Sequence, residues 1–316
     1  VKFFRRDFLK KTFYGFFGFS LFGAVMKIES RSKTVKFSYT VDQKHWVGDG
    51  FNVHGLLRPS EELNKYISPF ILMDYTSPRE FPKTDTPKGV GEHPHRGFET
   101  VTFAYQGEVE HRDSAGGGGT IKPGDVQWMT AGSGIVHDEF QSENFSKVGG
   151  TFEMIQLWVN LPRKDKMTSP KYQSIQKESI PSIKLADTSQ VRIIAGELDG
   201  TKGPASTFTS INIFDVSSQS EEHLSFNLTS RSNTILLILR GEAHVDSTKY
   251  IESSVLIFDQ DEDRLDFKTS SNFKGLILNG EPINEPMVAH GPFVMNTKAE
   301  ISEAIKDYQN GKMGKL

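Results

Sequence analysis

The sequence predicts an all-β protein: two small β domains in tandem, closed by one C-terminal helix. Three observations carry this. From about Lys36 onward, short β-prone runs are cut by Gly, Pro and Asp turns. Between Leu161 and Gln190 the composition shifts to Lys, Pro, Ser and Thr with little alternation, as a segment joining two halves does. Finally, Thr297-x-x-Glu300 is a capping box ahead of Ile301, Ala304, Ile305 and Tyr308 on one face, with Gly311 as a stop, which predicts a helix over Lys298–Asn310. Its apolar face predicts packing against a barrel and implies no chemistry.

The predicted strands of the first half include Thr100–Tyr105, Asp125–Met129 and Phe152–Asn160. Those of the second are Val191–Ala195, Ile211–Val216, Thr234–Leu239, Ser254–Phe258 and Gly275–Leu278. Each is rich in β-branched or aromatic residues and bounded by turn formers, and their spacing suits small barrels or sandwiches. Tyr105-Gln106-Gly107-Glu108-Val109 and Leu239-Arg240-Gly241-Glu242-Ala243 share one layout, an apolar strand, Gly-Glu, then another strand, which hints at duplication.

Composition narrows the function classes. The chain has 316 residues, 37 Lys plus Arg against 40 Asp plus Glu, 36% hydrophobic residues and no Cys. Near-balanced charge leaves no electrostatic footprint for nucleic acid, and the apolar fraction is that of a globular body. Without Cys there are no disulfides, thiolate nucleophiles, iron–sulfur clusters or zinc fingers, so any metal is held by nitrogen and oxygen.

Phe is skewed, since 8 of the 24 fall within the first 22 residues. There Phe4-Arg5-Arg6-Asp7-Phe8-Leu9-Lys10-Lys11 precedes an uncharged run from Thr12 to Met26. A basic head and a short apolar stretch form the layout of an export signal, too short to span a bilayer comfortably. It resembles a twin-arginine signal, although Phe4 stands where Ser or Thr is usual. Phe13, Phe16, Phe17, Phe19 and Phe22 surround a helix and leave it no polar face, against an amphipathic helix packed on the body. No AxA follows, and Ser30-x-Ser32 is a weak cleavage candidate. The expectation is periplasmic export through the twin-arginine translocation machinery, with a membrane anchor if uncleaved and a cytoplasmic location as the alternative.

Of nine His, His93 and His95 stand at i and i+2, on one face of a strand. His-x-acid is expected roughly once by chance in such a composition. It occurs three times, as His111/Asp113, His137/Glu139 and His244/Asp246. Context favours His137/Glu139. Gly124–Met129 reads as a buried strand, and Ala131-Gly132-Ser133-Gly134 as a glycine turn, so a returning strand sets His137 and Glu139 beside the first pair inside a barrel. Three imidazoles and one carboxylate suit a divalent first-row metal and leave positions for water, oxygen or substrate. Glu99, four residues after His95 with Gly97 between, is a fifth candidate on the same strand face. His111 reads as a solvated residue of a polar turn, and His45, His54, His223, His244 and His290 lack a partner pattern.

The run from Glu92-His93-Pro94-His95-Arg96-Gly97-Phe98-Glu99 through Gly107–Ser114 to Gly124-Asp125-Val126-Gln127-Trp128-Met129-Thr130-Ala131-Gly132 resembles the pirin family of bicupins. So do Asp74, Leu157–Pro162, Lys166-Met167, Tyr172-Gln173 and the closing Gly291–Thr297, so the resemblance covers nearly the whole body. It implies two stacked cupin barrels, that is, double-stranded β-helices or jelly rolls, with a metal in the N-terminal one. The domains would be a signal or anchor over 1–32, the metal-binding cupin over 36–165, a linker over 166–190, a metal-free cupin over 191–290, and a tail with helix over 291–316. The implied ligands are His93, His95, His137 and Glu139, with Glu99 a base or supporting residue; the wider cupin pattern would take Glu99 as the ligand instead.

Pirin-like proteins are associated with quercetin 2,3-dioxygenase activity. The resemblance therefore implies a small aromatic substrate and O2 at one divalent metal, Fe(II) first, with Mn, Co, Ni, Cu or Zn as others. Metal would lower the pKa of an enolic hydroxyl, Glu99 or Glu139 would accept its proton, and Phe103 and Tyr105 would line the cavity. The alternative is a non-catalytic, metal-dependent binding or regulatory cupin. A monomer is expected.

Overall fold

The computed structural model describes residues 31–316, so the expected export segment lies outside the described residues apart from its last two positions. The body is two β units, each pairing a seven-stranded sheet with a four-stranded one. Every predicted strand lies in an observed one within a residue: Thr100–Tyr105 falls inside Phe98–Gln106, Thr234–Leu239 inside Asn233–Arg240, and Ser254–Phe258 is reproduced. The final helix runs Lys298–Gln309 with its capping box formed. Among the described residues no helix is long and apolar enough to cross a membrane.

Two boundaries differ from the sequence reading. The Val35–Thr40 strand was expected in the first half, yet it pairs with Ser254–Phe258 at the edge of the second half's large sheet. Only Phe37 and Tyr39 of that strand reach the core between the halves, so it is an edge strand whose own pattern does not say which sheet receives it. The expected linker 166–190 also carries strands. Lys171–Ile175 pairs with Val126–Thr130 in the first half, and Ser182–Lys184 pairs with Ser189–Ala195 in the second. Both lie at sheet edges, where a solvated face admits Lys, Ser and Gln and blurs alternation.

The large sheets bury apolar faces against one another, and strand parity assigns each residue to a core. In the second half, Ile235, Leu237 and Leu239 join the core between the halves, while Leu236 and Ile238 join the interior of their own barrel. Both faces being buried, the strand reads as an unbroken apolar run. In the first half, Val101, Phe103, Val126, Trp128, Ile155 and Leu157 form the inter-sheet side. Thr100, Thr102, Gln127 and Gln156 alternate with them and face the other way. Polar contacts fasten the seam: Tyr105 donates to Asp215 Oδ1 at 3.2 Å, and Arg240 pairs with Glu153 at 3.6 Å.

The C-terminal segment returns to the first half. Arg96 bridges to Phe293 and pairs with Asp307 at 3.0 Å. Ser114 Oγ donates to the Met313 carbonyl at 2.6 Å, and Val136 packs in one cluster with Phe293, Met295, Ile301, Ala304 and Met313. The helix thus packs on a barrel, as its apolar face requires.

Between Gly89–His95 and Phe98–Gln106 the chain leaves the small sheet and enters the large one at Arg96-Gly97. Gly97 has φ +87°, and a Cβ there would stand 2.1 Å from the Val294 carbonyl oxygen. Gly97→Ala should therefore lower stability by about 2–4 kcal/mol. The measurement is the urea midpoint at unchanged slope, and an unchanged midpoint would show that the switch tolerates a side chain.

Candidate metal centre

His93 and His95 sit on the Gly89–His95 strand, which pairs antiparallel with Ile135–Gln141 so that His137 stands opposite His93. A register shift between His137 and Glu139 follows. On its other side, Ile135–Gln141 pairs with Val109–Asp113, setting Glu139 opposite His111 and His137 opposite Asp113. The centroid of the His93 ring lies 4.8 Å from that of His95 and 4.3 Å from that of His137, and His95 and His137 are 4.8 Å apart.

Every one of the three rings has its Nδ1 engaged. His93 Nδ1 is 2.9 Å from the Gly91 carbonyl, His95 Nδ1 is 3.3 Å from the Pro292 carbonyl, and His137 Nδ1 is 3.2 Å from His111 Nδ1. The ligand nitrogens of His93, His95 and His137 lie within 4.8 Å of one another, and His137 Nε2 is buried with no protein partner. A buried imidazole nitrogen normally finds a partner, and a divalent cation would satisfy this one. Burial, and then the neighbouring imidazoles, push His95 and His137 well below the usual histidine range. Both are therefore neutral near pH 7, the form that binds metal.

Glu139 shares a second such group with His137 and His111. Its Oε1 accepts from Gln127 Nε2 at 2.9 Å and Thr102 Oγ1 at 3.3 Å, and its Oε2 from Gln156 Nε2 at 2.5 Å. The polar row of the large sheet thus aims this carboxylate. Tyr172 holds Gln127 in turn, its OH 3.2 Å from Gln127 Oε1.

Three expectations are corrected. Glu99 does not join the cluster: the chain changes sheets at Gly97, so strand phase is not carried from His95. Its Oε1 accepts from Thr130 Oγ1 at 2.7 Å, on the face shared with Val101 and Trp128. Phe103 and Tyr105 do not line the metal cavity either, because they belong to the core between the halves. His111 is no solvated loop residue; it is fully buried on Val109–Asp113, with Nε2 3.1 Å from Asp113 Oδ2. The signal that could have found it is the i, i+2 spacing of His111 and Asp113 after the apolar Val109, overshadowed by the glycine run that follows.

Two stacked β-barrels, the first holding three imidazoles around one point beside an oriented carboxylate, define a two-domain cupin with a candidate divalent-metal site. The chain belongs to the pirin family: the Pirin model matches residues 51–159, and the Pirin C-terminal cupin domain matches 213–314. It is 46% identical over 281 residues to a Pseudomonas aeruginosa protein named as a candidate quercetin 2,3-dioxygenase, covering 89% of this chain and 98% of that protein. It is 37% identical to rat pirin, covering 79% and 84% respectively. A crystal structure of quercetin 2,3-dioxygenase from Acinetobacter baumannii superposes with a TM-score of 0.86 at 47% identity, covering 90% of this chain and 99% of that one.

Glu99 and His137 make opposite predictions. Burial raises the Glu99 carboxyl from 4.5 to about 7, against the opposing hydrogen bond from Thr130. The folded state therefore binds the proton more tightly than the unfolded one: the stabilisation is full below pH 4.5 and is lost as pH rises through about 7. Glu99→Gln should remove that loss, on the order of 3 kcal/mol between about pH 5 and about pH 8, while retaining metal. His137→Ala should lose metal. Denaturant unfolding at the two pH values and elemental analysis check both; metal loss in Glu99→Gln would return that residue to the site.

Proposed function

We propose that this pirin-family protein is a metal-dependent dioxygenase of the quercetin 2,3-dioxygenase type, acting with O2 on a flavonol or a similar enolic aromatic. The observation that carries the reading is the engagement of all three Nδ1 atoms, which leaves three Nε2 lone pairs for one cation. His93, His95 and His137 would hold the metal, and Glu139, which groups with His137 and His111, would be the carboxylate donor beside them. When bound, a divalent first-row ion, iron(II) by expectation, would lower the pKa of an enolic hydroxyl placed on it.

The chain's own residues supply the rest. With Glu99 on the far face of the sheet, Glu139 is the carboxylate available to take the enol proton. Thr102, Gln127 and Gln156 keep it oriented while it does so. The rings of Phe98 and Trp158, centroids 5.0 and 5.3 Å from that of His95, present apolar surface beside the cluster and exclude water from that side. The names carried by the Pseudomonas and Acinetobacter relatives support this reaction class.

One observation favours a second reading, a metal-dependent binding protein. His95, His111, His137 and Glu139 are buried, and of the cluster His93 alone is partly exposed. Surface cavities of about 590 and 710 Å³ are lined by other residues. An enclosed site limits entry of a three-ring substrate.

Oxygen uptake and loss of flavonol absorbance separate the two. Protein stripped of metal and reloaded in turn with iron(II), manganese, cobalt, nickel, copper and zinc should turn over with at least one of them. Glu139→Gln should lower that rate by about 10–100-fold. Absence of turnover by every loaded form, with metal retained, would select the binding protein.

A further inference from the structure

We propose that Asp113 and His111 form a one-directional hydrogen-bond chain that fixes the tautomer of His137, so that its Nε2 presents a bare lone pair to the metal. His111 is then a positioning residue and not a ligand. This rests on the reading of His137 as a metal ligand.

The direction of the chain is set at Asp113. Its Oδ1 accepts the backbone N–H groups of Ala115 and Gly117, each at 2.9 Å, and two donors on one oxygen require an acceptor there. Its Oδ2 faces His111 Nε2 at 3.1 Å. A carboxylate can only accept, so His111 carries its proton on Nε2 and its lone pair on Nδ1. That lone pair receives the Nδ1–H of His137 at 3.2 Å. His137 therefore has no proton on Nε2, the atom that is buried without a protein partner.

The reverse arrangement fails at both ends. It would set a lone pair of His111 against the Asp113 carboxylate and leave an Nε2–H of His137 with no acceptor. The geometry is also held from outside. Tyr172 stacks on His111 with centroids 5.2 Å apart and planes at 19°. A Cβ at Gly117 would stand 2.4 Å from Asp113 Oδ2, so the turn that supplies one of the donors is built around this carboxylate.

His137 thus differs from the other two ligands. His93 and His95 lean on backbone carbonyls, whereas His137 leans on a second imidazole backed by a carboxylate. A carboxylate behind an imidazole raises its donor strength, and the series of two rings carries that effect inward to a site enclosed by protein.

Asp113→Asn is the informative change because it alters direction without altering shape. The two backbone N–H groups still need the side-chain oxygen, so the amide NH2 turns to His111 Nε2, which must then offer a lone pair. Each ring flips its tautomer in turn, and His137 Nε2 acquires a hydrogen. Imidazole 15N NMR of the metal-free protein should show His137 protonated on Nδ1 and His111 on Nε2 in wild type, with both reversed in Asp113→Asn. Cobalt(II) titration should show one ion per chain and an affinity about 10–100-fold weaker in that variant.

His111→Gln offers a carbonyl oxygen to His137 Nδ1–H and should keep cobalt(II) affinity within about tenfold of wild type, whereas His111→Leu should fall below it. Wild-type tautomers opposite to those stated would overturn the proposal, and that measurement needs no variant to fold. Equal affinity in His111→Gln and His111→Leu, or two cobalt ions per chain with a ligand lost in His111→Leu, would also overturn it. Cobalt binding that survives His137→Ala would instead overturn the assignment of His137 as a ligand, leaving the tautomer measurement to decide the chain on its own.

Discussion

The structure depends on the burial of two large sheets against each other. Once one face of the first large sheet is given to that contact, only the opposite face of each strand is left for polar chemistry. Val101, Phe103, Val126 and Trp128 go to the contact, and Thr102 and Gln127 alternate to the other side, where they hold Glu139. Sheet parity allows no intermediate position. Glu99 shows the cost of the wrong parity: a carboxylate on the packing face is desolvated, its carboxyl rises to about 7, and it is satisfied by Thr130 instead of by a cation.

The metal site also depends on chain that is remote in sequence. The Pro292 carbonyl fixes His95, Arg96 is tied to Asp307, and the Met313 carbonyl accepts from Ser114 in the turn beyond Asp113. Lys166, fully buried, donates to Gly97 O, Asn160 Oδ1 and Val294 O at 2.7–2.9 Å, and so joins the turn after the His pair to the returning segment. Burial lowers this lysine to about 7, and three acceptors make the site tolerable for it. The C-terminal segment is therefore part of the first barrel's architecture, although it follows the second in sequence.

Period-2 alternation made the strands and the facing pairs legible. His93 and His95, then His137 and Glu139, needed only strand geometry and a glycine turn between them. Family resemblance added the choice of Glu139 over Glu99, which spacing alone left open. What was not legible came from places where the chain changes sheets. Gly97 breaks the phase on which Glu99 was placed, and Val35–Thr40 joins a sheet more than 200 residues away in sequence. His111 was missed for a different reason: a buried polar pair satisfies itself through Asp113, and its His-x-acid pattern recurs at His137 and His244, so spacing alone did not single it out.

The two barrels share one architecture and fill it differently, which follows from core packing. The interior of the second holds Phe214, Phe226 and Phe267 in a stack, with successive centroids 6.4 and 5.8 Å apart, alongside Leu224, Leu265 and Val245. Phenyl rings satisfy a close-packed interior without partners, whereas imidazoles need one for every buried nitrogen. The first barrel can hold its imidazoles because the Nδ1 atoms of His93, His95 and His137 have assigned partners, which leaves the buried Nε2 of His137 as the unsatisfied nitrogen. A cation that meets this requirement would add to the stability of the folded barrel, so metal occupancy bears on stability as well as on chemistry.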